Sequence, residues 1–143
     1  LAPCRHVIAG SPSYFEQHSR PLAPGDLVDH NILSFSYQAS AGDWHFVSPE
    51  GEPVSVTVSG SVRMNNSLAI REALLGGLGL ARLPTFVVGS DIQQGRLHTV
   101  LDSYMKPEVS IYVVYPQRRH LSPKVRAFVD YLADKITDTP YWD

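Results

Sequence analysis

Few residue sets in this chain could carry out a reaction, and each has a plainer role. Ser11 stands between a strand pattern and a helix pattern, where a serine hydrolase holds its nucleophile. That chemistry needs a strained turn of the form G-x-S-x-G, which this sequence lacks, and Pro12 directly behind Ser11 makes the serine a helix N-cap. The six histidines, His6, His18, His30, His45, His98 and His120, show no i, i+3 or i, i+4 pairing. Cys4 and His6 are the closest soft pair, and two ligands do not make a zinc site. Glu50 and Glu52, the nearest thing to a carboxylate pair, fall at a hairpin tip where water solvates both. Gly77-Leu78-Gly79 follows a helix and precedes a strand, the reverse of the order a pyrophosphate cradle needs. Asn65-Asn66-Ser67 spells a glycosylation sequon but sits where a helix cap is wanted. The sequence therefore names no catalytic residue, no metal ligand and no cofactor site, and the chemistry left to it is recognition.

Recognition needs oriented donors, and three helix starts supply them, at Ser11, around Asn66 and at Thr85. The free N–H groups of a first helical turn and the positive end of the dipole suit a carboxylate or similar small anion. Two of these starts follow strand ends, the usual place for a ligand cleft in an open α/β sheet.

The elements that must position these donors centre on Val62 to Pro84. Ile70, Ala73, Leu74 and Leu78 recur at helical spacing, with Arg71 and Glu72 on the other face. Asn65, Asn66 and Ser67 offer acceptors to its first turn, and Gly76, Gly77 and Gly79 supply the left-handed conformation that stops it. Leu80 to Leu83 reads as a strand closed by Pro84. Upstream, Arg5 to Ala9 reads as a buried strand, Ser11-Pro12 opens a helix, and Asp26 caps a turn through His30. Ile32 to Ser36 is a strand, Gln38 to Asp43 a loop, and Trp44 to Val47 and Val54 to Val58 the arms of a hairpin around Pro49 to Glu52. Downstream, Thr85 caps a helix stopped by Gly95, and a strand spans Leu97 to Leu101. Val109 to Val113, apolar on both faces, reads as a central strand, and Ser122-Pro123 opens the last helix.

A chain of 143 residues is one domain by size. With a formal net charge of -2 and Arg118-Arg119-His120 as its short basic cluster, it has no field to draw it onto phosphates, so it is not expected to bind DNA by itself. One cysteine suits a reducing compartment, and no apolar run is long enough to cross a membrane. The first residue is Leu, so the chain reads as a fragment or a processed product.

A set of motifs in fixed order resembles the effector-binding domain of LysR-type transcriptional regulators. They are Arg5-His6-Val7-Ile8-Ala9-Gly10-Ser11-Pro12-Ser13-Tyr14-Phe15, Asp26-Leu27-Val28-Asp29-His30, Met64-Asn65-Asn66, Gly77-Leu78-Gly79-Leu80-Ala81-Arg82-Leu83-Pro84, Gly95-Arg96-Leu97, and the run from Tyr115 to Phe128. The resemblance implies an α/β lobe of the type 2 periplasmic-binding-protein kind, a mixed sheet flanked by helices, within a truncated two-lobed sensor domain. Residues 1–101 would be the second lobe, 102–107 a hinge linker, and 108–143 the return strand and C-terminal helix of a missing first lobe. A small effector, expected to be an organic anion, would lie between the lobes, with Ser11, Ser36, Asn65, Asn66, Ser67 and Pro84 contributed by this one. DNA would be reached only through a separate upstream domain, the setting would be cytoplasmic, and the chain would be no enzyme. The alternative is a lobe of a periplasmic solute-binding protein of a transporter, with the same anion logic.

The return segment carries one more expectation. Val109, Ile111, Val113, Val125, Phe128, Val129, Leu132 and Ile136 form an apolar surface that the first lobe would cover. Leaving it wet would forfeit roughly 12–24 kcal/mol as an upper bound, against a net stability of roughly 5–15 kcal/mol for a typical domain. A homodimer packing strands near Ile111 or helices near Phe128 across a two-fold axis is expected to hide it.

Overall fold

A computed structural model describes residues 1–36, 42–106, 109–115, 122–136 and 140–143. The loop expected from Gln38, the linker's end at Pro107 and the basic cluster at Arg118-Arg119-His120 lie outside these residues. At the centre runs β2 (His6–Gly10), antiparallel to both neighbours. It pairs with β7 (Ala81–Pro84) from His6↔Pro84 to Ala9↔Ala81, and with β8 (His98–Val100) from Ile8↔Val100 to Gly10↔His98. A second pair, β3 (Leu33–Phe35) and β6 (Val62–Met64), is parallel. A parallel bridge between Ile32 and Leu80 joins the two, with Leu33 N donating to Leu80 O at 2.8 Å and Leu80 N to Asn31 O at 2.9 Å. The spatial order is therefore β6-β3-β7-β2-β8, with β2 alone reversed, as a mixed sheet requires.

Alternation of side chains along these strands builds two cores, one on each face. Ile8, Ile32 and Leu80 point to the face covered by Tyr14 of α1 (Pro12–Gln17), by Leu27, and by Trp44 and Phe46. The last two come from the hairpin β4 (Asp43–Val47) and β5 (Pro53–Thr57), whose register runs from Asp43↔Thr57 to Val47↔Pro53. Ala9, Leu33, Ala81 and Leu83 point the other way, onto Ile70 and Leu74 of α2 (Ser67–Leu75) and Val88 of α3 (Thr85–Gln93).

The chain departs from the sequence reading in five places. Ala2–Cys4 forms β1 ahead of the expected strand and pairs antiparallel with β9 (Val109–Ile111), Ala2 opposite Ile111. That makes β9 a three-residue strand outside the main sheet, with Val109 exposed, and not a central strand running to Val113. Residues apolar on both faces signal a need for cover, and among the described residues only β1 pairs with this strand. Leu78 lies past the end of α2 and is exposed, because the helix stops at Gly76 and only Gly77 of the three glycines takes the left-handed conformation, at φ 78°. Gly79 serves close approach instead, since a Cβ there would stand 2.1 Å from Asn31 O. Thr85 is not the cap of α3. Pro84 takes that position, and Thr85 Oγ1 donates to Arg5 O at 3.4 Å. Finally, Arg71 is not on the solvent face of α2 but reaches α3, as described below.

Helix α4 (Pro123–Lys135) has the expected apolar stripe, and none of its residues is buried. Phe128 is 60% exposed.

Candidate functional site

Four strands, β3, β6, β7 and β8, end at one edge of the sheet, and the turns that follow them define the candidate site. Ser36, just past β3, donates its N–H to Met64 O at 2.7 Å, which holds the ends of β3 and β6 together. Asn66 then caps α2 from an extended backbone, its side-chain oxygen accepting from Leu68 N at 2.8 Å. Pro84 closes β7 opposite His6 and starts α3. Between α2 and α3 these turns leave a cavity of about 620 Å³ lined by Phe35, Asn65, Asn66, Ser67, Leu68, Arg71, Phe86, Val87, Ser90 and Asp91. Polar groups therefore converge from the start of α2, while Phe35, Leu68, Phe86 and Val87 supply an apolar wall, the mixture a small-molecule pocket needs.

The predicted site residues divide cleanly. Asn65, Asn66 and Ser67 line the cavity, and Ser36 and Pro84 stand one and two residues from its lining residues Phe35 and Phe86. Ser11 does not join them. Because β2 runs against its neighbours, Ser11 emerges at the opposite edge of the sheet, beside the C-terminal end of α2, where a Cβ on Gly77 would lie 3.5 Å from Ser11 Oγ. The nine residues of α2, about 13 Å of helix, separate it from Asn66. Ser11 is 3% exposed, and its hydroxyl accepts from Tyr14 N at 3.2 Å and bonds Ser13 Oγ at 2.9 Å. It is the N-cap the sequence indicates, turned away from the cavity.

The residues that sequence reasoning missed are charged. Asp91 is fully buried on α3, and its carboxylate is held by Arg71 through Nε at 2.5 Å and Nη2 at 2.9 Å, and by Arg96 Nη2 at 2.6 Å. Its backbone carbonyl accepts from Arg96 N at 2.8 Å, which fixes the turn after α3. A buried carboxylate is tolerated only with such partners, and the hydrogen bonds to Asp91 hold the Arg71 guanidinium above its ordinary range. The signal was present in the sequence. Asp91 follows Val88 by three positions on the buried stripe of α3, and a carboxylate on that stripe demands a cation nearby. Among the described residues no group of three metal-ligating side chains occurs, and no described helix is long and apolar enough to cross a membrane.

The fold is that of regulatory domains with a periplasmic-binding-protein-like architecture. The regulatory domain of AphB from Vibrio vulnificus superposes with a TM-score of 0.72 at 26% identity, covering 91% of this chain and 64% of that one. The CrgA regulatory domain from Neisseria meningitidis gives 0.73 at 24% identity, covering 94% and 65%. The family model of the LysR substrate binding domain matches residues 1–137, and the chain belongs to that family. It is an effector-binding regulatory domain of a LysR-type transcriptional regulator, a kind of domain that binds small effectors and is not an enzyme. Similar curated proteins include PgrR of Escherichia coli K12, 32% identical over 131 residues, 90% of this chain and 44% of PgrR. PtxR of Pseudomonas aeruginosa PAO1 is 29% identical over 141 residues, 99% of this chain and 45% of PtxR. The chain thus spans less than half the length of these curated relatives.

Proposed function

We propose that the cavity between α2 and α3 takes a small organic anion, with its charged group at the start of α2 and its apolar body against Phe35 and Phe86. The observation that carries this reading is the convergence of Asn65, Asn66 and Ser67 with those two rings in one space of about 620 Å³. First-turn N–H groups and the helix dipole favour negative charge there. Ser36 and Pro84 hold the turns that shape the entrance.

In this proposal residues 1–101 are the second lobe, 102–107 the hinge linker, and 108–143 a return segment that a first lobe covers. The adjacency of β1 and β9, paired with each other outside the main sheet, supports a crossing point there. DNA is reached through a separate domain, in the cytoplasm, and the protomers associate as homo-oligomers. For this chain alone the exposed surface around Ile111 and Phe128 is the proposed contact. The test of the site is calorimetry against a library of small carboxylates with the Asn66→Ala/Ser67→Ala variant alongside. A carboxylate that binds should lose about tenfold or more in affinity through that change, at a stability cost of about 1 kcal/mol from the lost cap. Unchanged affinity would move the site elsewhere.

A further inference from the structure

We propose that Arg71 reads the charge of the bound effector and that Glu72 is a built-in competitor for it, an inference that rests on the cavity reading above. Arg71 lines the cavity from the second turn of α2, on the same face as Ser67 four residues earlier. Asp91 engages two of its three guanidinium nitrogens, Nε and Nη2, in a forked contact that fixes the plane of the group. A buried carboxylate thus serves as the support, and the Arg71 side chain remains 23% exposed while lining the cavity. With Arg96 also on Asp91, two cations face one buried anion, so the contact to Asp91 does not by itself neutralise Arg71.

The third nitrogen, Nη1, has a different partner. It donates to Glu72 Oε1 at 2.6 Å, and the Glu72 side chain is 69% exposed. Adjacent residues do not face each other on a helix, so this carboxylate bends round to reach the guanidinium. Exposed pairs of this kind contribute little, because water competes and two long side chains lose freedom. A carboxylate entering the cavity can therefore take the Nη1 position and release Glu72 to solvent. It exchanges a weak, screened contact for one assisted by the α2 N-terminus. A neutral isostere of the same shape gains nothing from that exchange, so Arg71 sets specificity for charge while Phe35 and Phe86 set it for shape.

The test uses this chain with benzoate and its neutral isostere benzamide as probes, read by NMR titration of the cavity residues and of the arginine Nε–H signals. The wild type should bind benzoate in preference to benzamide. Glu72→Gln should tighten benzoate by about two- to fivefold, the reciprocal of what an exposed ion pair is worth, and leave benzamide unchanged. Arg71→Gln should abolish the preference, with circular dichroism checking the fold because Asp91 then relies on Arg96. Glu72→Gln carries the decision if that variant unfolds. Equal binding of the two probes, or benzoate affinity unmoved or weakened by Glu72→Gln, overturns the charge-reading role and leaves Arg71 a clamp for Asp91, with the cavity reading intact. If neither probe perturbs the cavity resonances at tens of millimolar, the cavity reading and this proposal fall together.

Discussion

The layer of α2 and α3 and the segment of β9 and α4 have similar sequence patterns and opposite fates. Both present an apolar stripe. In α2 and α3 the stripe meets the sheet, and Ile70, Leu74 and Val88 vanish from solvent together with an ion-paired carboxylate. In α4 no residue of the stripe is buried: Val125 and Phe128 are exposed, and Val129 and Leu132 are only half-covered. The difference teaches that amphipathic spacing specifies a face to be covered without saying by what. The first region is a packed layer with a cavity between its helices, and the second leaves apolar side chains exposed.

Substitutions on the two sides should differ accordingly. Asp91→Ala would leave Arg71 and Arg96 without their shared buried anion, and its expected cost is about 3–5 kcal/mol by urea denaturation. A loss under 1 kcal/mol would mean that the triad is ornamental. Leu74→Ala, a truncation under the same helix, should cost about 2–5 kcal/mol. Phe128→Ser on α4 should change the unfolding free energy of a monomer by less than about 0.5 kcal/mol, while reducing self-association measured by light scattering. A large loss of monomer stability would show that α4 packs on its own lobe after all.

A second comparison concerns α3 and the short stretch Pro140–Asp143. Gly89 lies so close to it that an added Cβ would stand 1.8 Å from Trp142 O, and Gln93 Nε2 donates to Tyr141 O at 3.2 Å. Arg5 Nη1 pairs with Asp143 at 3.0 Å, and Trp142 meets Phe86 edge to face. Gly89→Ala should therefore favour the helix by up to about 1 kcal/mol yet displace Trp142, seen as a shifted indole resonance. An unmoved indole signal would remove that contact from the account.

The smallest effect expected is in pH. Burial, and then the nearby charge of His18, push the His30 imidazole below its ordinary value, while its Nδ1 shares a 2.8 Å hydrogen bond with Tyr14 OH. A group whose folded pKa is depressed binds fewer protons in the fold than in the unfolded chain. Its contribution to stability is complete above the unfolded value of about 6.5 and is lost as pH falls through the folded one. Thermal melts should therefore drop below that point, and His30→Asn should flatten the drop. A melt that rises on acidification through the same window would contradict the assignment.

How much of this was legible beforehand depends on whether a residue's role is local or tertiary. The cap at Asn66, the proline start of α1 and the glycine stop of α2 are local, and the sequence carries them in full. The common end of β3, β6 and β7, where Ser36, Asn65–Ser67 and Pro84 gather, follows from parallel strands joined by helices and was legible as a pattern. Ser11 lies apart from them because a strand's direction relative to its neighbours is a property of the sheet, and β2 is the reversed strand of the main sheet. Helical period places Arg71 on the solvent face because it records the angle of a side chain and not its reach. A long arginine at the edge of the buried stripe can cross to the next helix, and Asp91, read together with it, was the available hint. Apolar residues on both faces read β9 as central, whereas burial needs neighbours that the described residues do not supply.

The central claim is that an effector's charged group sits at the start of α2, in the cavity shared with α3. It is tested most directly by chemical-shift mapping on this chain with benzoate as ligand. The account predicts that the largest perturbations fall on the backbone N–H groups of Ser67 and Leu68 and on the Arg71 side chain, with Phe35 and Phe86 ring signals moving alongside. Perturbations centred instead on Ser11 and Ser13, at the opposite edge of the sheet, would contradict it.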